Sequence, residues 1–263
     1  MIAPADGADL YYESNGSGEP VLLVMGLGMA ATGWWRTVEV LAEEFRVIAF
    51  DNRGSGRSDA PNGPYSIAGL AADAAAVLDA AGEESAHVYG ISLGGMIAQE
   101  LALAEPQRVR SLVLGASTPG GAGHVLPDRE TLEFLNRRAT MDFEEGVWAS
   151  VPYNYGYATR TTFAARLGAD IAQRLRYPPN ATGYRAQLAA AWGWDATQRL
   201  PELRVPALVL HGDEDRIVPV ENGRRLAAAI AGSRFEELAG AGHLYPTDEP
   251  RADREVLRFL ASQ

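Results

Sequence analysis

The residues best suited to chemistry in this chain are a serine and the glycines around it, in the segment Val-Tyr-Gly-Ile-Ser-Leu-Gly-Gly that ends at Gly95. The apolar run before Gly90 predicts a buried strand, and the apolar periodicity that begins at Leu93 predicts a helix as far as Ala104. Ser92 therefore lies on a strand-to-helix turn. Such a turn strains the serine backbone, exposes its hydroxyl and tolerates only small residues two positions away. The pattern predicts a nucleophile, with helix N–H groups facing a developing oxyanion.

The motif alone does not decide the function, because Gly-x-Ser-x-Gly also occurs by chance and glycine before a helix is common in tight connections. A catalytic serine also needs a base, and histidine is the usual one because its pKa lies near neutral pH. His243 is the predicted base. It ends the glycine-rich loop Ala-Gly-Ala-Gly-His after the last predicted strand, and this loop can return across the sheet edge. The alternative is an exposed loop histidine.

The other three histidines are less well placed to reach Ser92. His87 begins the strand that leads into the turn, and His124 lies after the next predicted strand. His211 ends a buried apolar run, for which a structural role is favoured.

The imidazole of a catalytic histidine needs a carboxylate that fixes its tautomer. The loop after the predicted strand 207–210 offers Asp213, Glu214 and Asp215. Asp215 is preferred because its position before Val-Pro suits a side chain turned inward, whereas Asp213 is better suited to capping the turn. Glu214 stays a second alternative. The loop at 115–119 contains no acid, so the predicted chain order is serine, acid, histidine.

A second oxyanion donor is expected in the Met-Gly-Leu-Gly loop after the strand 21–24, where the Leu27 N–H can join that of Leu93. The alternative for this loop is an ordinary glycine turn. Aromatic residues are further candidates for contact with a substrate, either beside this loop or in the aromatic-rich middle of the chain. These candidates are Trp34, Trp148, Tyr153 and Trp192.

Composition excludes several classes of function. The chain has 263 residues, no cysteine and 23 basic residues, every one an arginine. Without lysine there is no Schiff base for pyridoxal phosphate and no P-loop lysine. The net charge of −11 disfavours nucleic acid and acidic membranes as partners. No segment has the pattern of a membrane span or a secretory signal, so a cytoplasmic location is expected; the sequence leaves the oligomeric state open.

Strand-like and helix-like segments alternate along most of the chain, which predicts an α/β fold with a mostly parallel sheet. Seven strands are predicted, at 10–13, 21–25, 47–50, 87–90, 109–115, 207–211 and 235–238. The alternation stops at about residue 119 and resumes at 201. We therefore predict a core of residues 1–118 and 201–263, with residues 119–200 as a helical cap. The aromatic residues of this segment could instead form a small core of their own.

Taken together, these motifs resemble those of the α/β-hydrolase fold family over nearly the whole chain. The matching segments are Met25–Gly28, Asp51–Ser58, Gly90–Gly95, Gly212–Asp215 and Gly242–His243. The resemblance implies an eight-stranded, mostly parallel sheet flanked by helices, with an inserted helical cap. It further implies an acyl-enzyme on Ser92 and no metal or organic cofactor. Met25 departs from the family pattern, since many members have histidine there, but the expected donor is a backbone N–H.

The resemblance is greatest to a small bacterial branch of carboxylesterases and 3-oxoadipate enol-lactonases. The first hypothesis is a carboxylesterase for small, fairly apolar esters. The second is a lactonase or C–C bond hydrolase, which would need a positive group for a substrate carboxylate; cap arginines are candidates, namely Arg137, Arg138, Arg160 and Arg185. A ligand sensor without turnover, or a cofactor-free haloperoxidase or perhydrolase, are further alternatives. Related epoxide hydrolases and dehalogenases are disfavoured, because they carry aspartate where this chain has Ser92.

Overall fold

The eight strands of the computed structural model, which describes residues 1–138 and 140–263, form a single sheet in the order β1-β2-β4-β3-β5-β6-β7-β8. The β1–β2 and β2–β4 pairs are antiparallel and the other pairs are parallel. The strands are β1 Ile2–Ala5, β2 Ala8–Asn15, β3 Glu19–Val24, β4 Phe45–Phe50, β5 Ala86–Ile91, β6 Val109–Gly115, β7 Ala207–Gly212 and β8 Arg234–Leu238. The predicted mostly parallel, eight-stranded sheet is confirmed.

Seven of these strands correspond to segments predicted from apolar runs, and β1 does not. β1 has four residues, includes Pro4 and pairs only with β2 at the sheet edge. Proline is tolerated at an edge, but it hides the strand from a sequence pattern. The central strands β5 and β7 are buried along their whole length, as continuous apolar runs between two helix layers should be.

Helices cover both faces of the sheet. Those belonging to the core are α1 Trp35–Leu41, α2 Ile67–Ala81, α3 Leu93–Ala104, α10 Glu221–Ala229, α11 Tyr245–Asp248 and α12 Arg251–Leu260. α2, α3 and α10 bury their apolar residues in one core cluster, whereas α1 and α12 bury theirs in a second cluster. α2 shows how local sequence sets the bounds: the Ser66 hydroxyl accepts from the Gly69 N–H, and the helix ends at Gly82 with φ 78°.

Between β6 and β7 the described residues form helices and connecting segments. The helices are α4 Arg129–Arg138, α5 Phe143–Ala149, α6 Val151–Asn154, α7 Tyr157–Thr161, α8 Ala164–Arg174 and α9 Ala181–Trp192. Gln187 of α9 fixes this insertion to two loops at the carboxyl edge of the sheet. Its amide donates to the Arg53 carbonyl at 2.7 Å and to the Ser55 hydroxyl at 3.0 Å, and it accepts from the Gly28 N–H at 2.9 Å. The insertion is therefore seated directly above the strand ends.

None of the described helices is long and apolar enough to cross a membrane.

Asp253 on α12 makes the stability of the fold depend on pH. Its carboxylate is almost fully buried, and burial raises its pKa to about 7, although the Thr37 hydroxyl and the charges of Arg36 and Arg254 act in the opposite direction. The folded state therefore holds a proton that the unfolded state releases near pH 4. The stabilisation contributed by the protonated Asp253 carboxyl is fully present below about pH 4. It is lost as pH rises toward 7, by on the order of 4 kcal/mol.

Replacing Asp253 with asparagine should remove this dependence. We expect Asp253→Asn to gain stability over the unmodified protein as pH rises from 4 to 7, measured by urea unfolding at several pH values. The exposed Glu39 on α1 provides a control, and Glu39→Gln should follow the unmodified protein at every pH. Parallel stability curves for Asp253→Asn and the unmodified protein would contradict the assignment.

Candidate active site

Ser92 occupies the turn between β5 and α3 with φ 57° and ψ −120°, a left-handed conformation that is unusual for a residue other than glycine. Strain of this kind costs about 1–3 kcal/mol and persists only where surrounding contacts hold it. Here the Ser92 N–H donates to the Gly115 carbonyl at 2.8 Å, and the Ser117 hydroxyl donates to the Ser92 carbonyl at 2.8 Å. The turn is thus held by β6 and by the loop that follows it.

The glycines of the motif are required by close approach of the backbone. A methyl group at Gly90 would collide with the Gly94 carbonyl, and one at Gly94 would collide with the Val24 carbonyl at the end of β3. The neighbouring Gly26 lies against the serine, because a methyl group there would lie 3.2 Å from the Ser92 Cβ. These residues bring α3, β3 and the following loop together around the hydroxyl.

His243 and Asp215 form a buried hydrogen-bonded pair. The distance from His243 Nδ1 to Asp215 Oδ2 is 2.8 Å, and the carboxylate has no exposed side-chain surface. Burial by itself would raise the pKa of Asp215, but the charge and hydrogen bonds of His243 and His211 lower it to about 2. The carboxylate is therefore ionised at neutral pH and can hold the imidazole with its Nδ1 protonated.

Both oxygens of Asp215 are held by neighbouring donors. Oδ1 accepts from the backbone N–H groups of Ile217 and Val218, each at 2.9 Å. Oδ2 lies 3.2 Å from His211 Nε2, which also contacts the Val218 carbonyl at 2.7 Å. His211 thus has a structural role beside the candidate acid, which agrees with the interpretation of its sequence position.

The two alternative acids face other partners. Asp213 accepts from the Gly240 N–H at 2.6 Å, so it caps the turn as its spacing suggested. Glu214 accepts from the Tyr157 N–H of the insertion at 2.7 Å. Of the three acids in this loop, Asp215 is the one that contacts His243.

The two predicted oxyanion donors both lie near Ser92. Leu27 lines the cavity with Ser92, and Leu93 is the first residue of α3. Within residues 1–138 and 140–263, neither N–H donates to a protein acceptor. The loop before Leu27 is held by Asn52, whose amide donates to the Met25 carbonyl at 2.9 Å. Two N–H groups are therefore available near the serine.

Ser92 and His243 line one cavity of about 90 Å³ beneath the insertion. Its apolar wall includes Met25, Met29, Ile91, Phe134, Leu135 and Leu244. A second, largely apolar cavity of about 420 Å³ lies beside it and shares four lining residues with it, namely Leu27, Leu135, Tyr184 and Ile217. The two cavities therefore lie side by side, with these four residues forming part of the wall of each.

The four aromatic candidates for substrate contact do not line the serine cavity among its described residues. Trp34 is buried in the core, where its ring packs 4.7 Å from that of Tyr89. Tyr153 stacks on Phe134 at 4.1 Å, and Trp148 is exposed. Trp192 lines the larger apolar cavity. Aromatic type therefore does not reveal which residues of short helices are turned toward the serine cavity.

Two arginines line the serine cavity. Arg138 was one of four predicted candidates; Arg137, Arg160 and Arg185 are not among the described residues of its wall. Arg174 was not predicted. A signal for it exists, because the buried face of α8 combines Ile171 with the charged residues Asp170 and Arg174 at the spacing normally occupied by apolar residues.

No group of three or more histidine, aspartate or glutamate side chains in the described part of the chain is arranged to hold a metal ion.

Known proteins are similar to this chain over most of its length. A family model described as alpha/beta hydrolase fold matches residues 19–250. A protein of Azorhizobium caulinodans with the provisional name carbamate hydrolase RutD is 35% identical over 95% of this chain and 94% of its own length. The chain belongs to the α/β-hydrolase fold family.

Solved structures show the same relationship. The enol-lactonase of Burkholderia xenovorans LB400 has a TM-score of 0.86 at 27% identity, covering 99% of this chain and 100% of that one. A thermophilic esterase from Thermogutta terrifontis, with malate bound, has a TM-score of 0.85 at 28% identity, covering 100% of this chain and 98% of that one. The similarity supports a hydrolase with a small-molecule substrate, within a branch that includes esterases and lactonases.

Proposed function

We propose that this protein is a serine hydrolase that cleaves small carboxylic esters through an acyl-enzyme on Ser92. The observation that carries the proposal is the shared cavity of Ser92 and His243, with His243 hydrogen-bonded to the ionised Asp215. This arrangement supplies a nucleophile, a base and a group that orients the base. We further propose that residues 119–200 act as a cap that encloses the site.

The mechanism assigns one task to each group. His243 Nε2 accepts the hydroxyl proton while Ser92 Oγ attacks the ester carbonyl, and the N–H groups of Leu27 and Leu93 stabilise the oxyanion. Collapse of the tetrahedral intermediate breaks the bond to the alcohol oxygen, to which His243 returns the proton. Water, deprotonated by His243, then attacks the acyl-enzyme, and collapse of this second intermediate breaks the bond to Ser92 Oγ, which takes the proton back from His243 as the acid leaves. Asp215 stabilises the imidazolium at each stage.

The adjoining apolar cavity supports a preference for esters with an apolar group. Its wall includes Met96, Leu132, Leu188 and Ala191, which offer no charge to a substrate. Burial of apolar surface contributes about 0.8 kcal/mol per CH₂. Affinity should therefore increase with chain length until this cavity is filled.

Turnover of model esters tests the proposal against the sensor alternative. We expect the purified protein to hydrolyse p-nitrophenyl acetate and butyrate for many turnovers per molecule, with one fluorophosphonate label incorporated per chain. A single burst of nitrophenol without further turnover, or no labelling, would contradict a hydrolase function. Lactones belong in the same assay, because similarity to an enol-lactonase favours lactone cleavage as the second candidate reaction.

A further inference from the structure

The serine cavity contains two cationic side chains and no acidic one among its described lining residues. Arg174 and Arg138 both reach this cavity, and both also line a small adjoining pocket of about 10 Å³. Neither forms an ion pair with an aspartate or glutamate of the described chain. This concentration of positive charge is notable in a protein with a net charge of −11. A buried cation without a carboxylate partner is costly unless an anion joins it.

Arg174 is held firmly in place without a direct counter-charge. Its residue is only 8% exposed. Nη1 donates to the Tyr155 hydroxyl at 2.9 Å, and Nη2 donates to the Ser150 hydroxyl at 3.0 Å. A guanidinium has five N–H donors, so these two bonds leave further donors for a ligand.

The Tyr155 hydroxyl lies between Arg174 and the buried carboxylate of Asp170 and links the two by hydrogen bonds. The hydroxyl donates to Asp170 Oδ2 at 2.5 Å, and burial raises the pKa of the phenol well above its usual value. The phenol therefore keeps its proton, donates a hydrogen bond to Asp170 and accepts one from Arg174. Asp170 is further held by the Thr247 hydroxyl at 2.9 Å. The network orients the guanidinium while leaving its cavity-facing edge without an anion.

Arg138 provides the second cation from the end of α4. Its Nη1 donates to the Tyr184 hydroxyl at 3.2 Å, and its guanidinium lies 5.6 Å from the centre of that ring. Tyr184 separates the serine cavity from the larger apolar cavity, since it lines both. The two arginines thus give the serine cavity a positively charged region beside its apolar wall.

We propose that the physiological ester or lactone carries a carboxylate within a few bonds of its reactive carbonyl, and that Arg174 and Arg138 bind this carboxylate. The inference rests on the proposed function of Ser92. Charge-assisted hydrogen bonds from a guanidinium suit a carboxylate in geometry and strength. Arg174, Arg138 and Ser92 line the same small cavity, so the carboxylate and the reactive carbonyl must be close together.

Two methyl esters of matched shape test the proposal. Methyl hydrogen succinate carries a carboxylate where methyl 4-methylpentanoate carries a neutral isopropyl group. We expect the unmodified protein to favour the charged ester by at least about 10-fold in kcat/KM, measured by acid release at constant pH. Arg174→Met should raise KM for the charged ester by about 10-fold or more while changing kcat/KM for the neutral ester by less than about 3-fold.

Further variants separate charge recognition from loss of structure. Arg138→Met should weaken the preference for the charged ester, and Arg174→Lys should restore part of what Arg174→Met loses. Arg137 is an exposed neighbour on the same helix, so Arg137→Met should leave both esters unaffected. A preference for the neutral ester, or an equal loss for both esters in the Arg174 and Arg138 variants, would overturn the proposal while leaving Ser92-dependent hydrolysis intact.

Binding without turnover makes the two proposals separable. Calorimetry with succinate as the probe needs no chemical step, and we expect it to show binding that Arg174→Met abolishes. If neither methyl ester nor any model ester is hydrolysed, the proposed function fails, and arginine-dependent succinate binding would still support the anion site. Absence of succinate binding to the unmodified protein would overturn the anion site.

Discussion

Ser92→Ala should lower kcat/KM for p-nitrophenyl butyrate by about 10³-fold or more and should abolish fluorophosphonate labelling. The reason is that alanine removes the only atom of the site proposed to bond covalently to the acyl group. The oxyanion donors and the cavity remain, so a small residual rate above that of water is expected. Alanine should also be accommodated without collapse, because the positive φ is imposed by contacts of the Ser92 backbone with Gly115 and Ser117.

An exposed serine gives the matched control for this experiment. Ser17 lies in the turn between β2 and β3, and Ser17→Ala should keep full activity and labelling. Circular dichroism and the unfolding midpoint of Ser92→Ala should match those of the unmodified protein within about 1 kcal/mol. Full labelling of Ser92→Ala would show that another residue is the nucleophile.

The second large effect is expected for Asp215→Asn, which should lower kcat by about 10⁴-fold. Oδ1 of Asp215 accepts from the backbone N–H groups of Ile217 and Val218, whereas Oδ2 accepts from His243 and lies 3.2 Å from His211 Nε2. An asparagine amide cannot accept at both positions. Because backbone N–H groups cannot change, the amide NH₂ should face the imidazoles. His243 must then accept at Nδ1, which leaves Nε2 protonated and unable to take the serine proton.

Asp213→Asn provides the control, because Asp213 caps the Gly240 turn and does not contact His243. Its kcat should change by less than about 3-fold. A larger loss in Asp213→Asn or in Glu214→Gln than in Asp215→Asn would assign the acid to a different residue. Asp215→Asn should also reduce stability by about 1–3 kcal/mol at pH 7, since buried donors lose an ionised acceptor.

The low pKa of Asp215 sets a limit on acid stability. Its folded-state pKa of about 2 lies below the ordinary value of 3.8, so its contribution is present above about pH 4. That contribution is lost as pH falls toward 2, by on the order of 2 kcal/mol. Asp253 acts in the opposite direction between pH 4 and 7. The combined contribution of these two carboxyl groups is therefore expected to be greatest near pH 4.

The turn that carries Ser92 is a feature that local sequence specifies almost completely. An apolar strand, a serine between glycines and a helix follow one another without interruption. Gly90 and Gly94 are required because a side chain at either position would collide with the backbone of the same turn or of the neighbouring strand. The same holds for the central strands, whose continuous apolar runs can be buried only between two layers of helices. Short β1 escaped prediction because four edge residues carry too little pattern.

The candidate acid and base were predicted by chain order and loop position, but their partners were not. His211 lies four residues before Asp215, and sequence spacing alone does not show that its Nε2 turns toward the same oxygen that faces His243. The turn at Val218 produces this geometry by bringing its N–H and its carbonyl to the two side chains.

The fold class and the residues expected to carry the reaction can be inferred from the sequence alone, because both depend on local patterns and on the order of motifs. The wall of the cavity, in contrast, is formed by residues that only the tertiary structure brings together. Arg174 is separated from Ser92 by more than eighty positions, and it lines the cavity through the orientation of α8 and the Ser150 and Tyr155 hydroxyls. Trp34 lies buried in the core instead. Which face of a short helix turns inward depends on packing between distant segments, and residue type alone does not specify that packing.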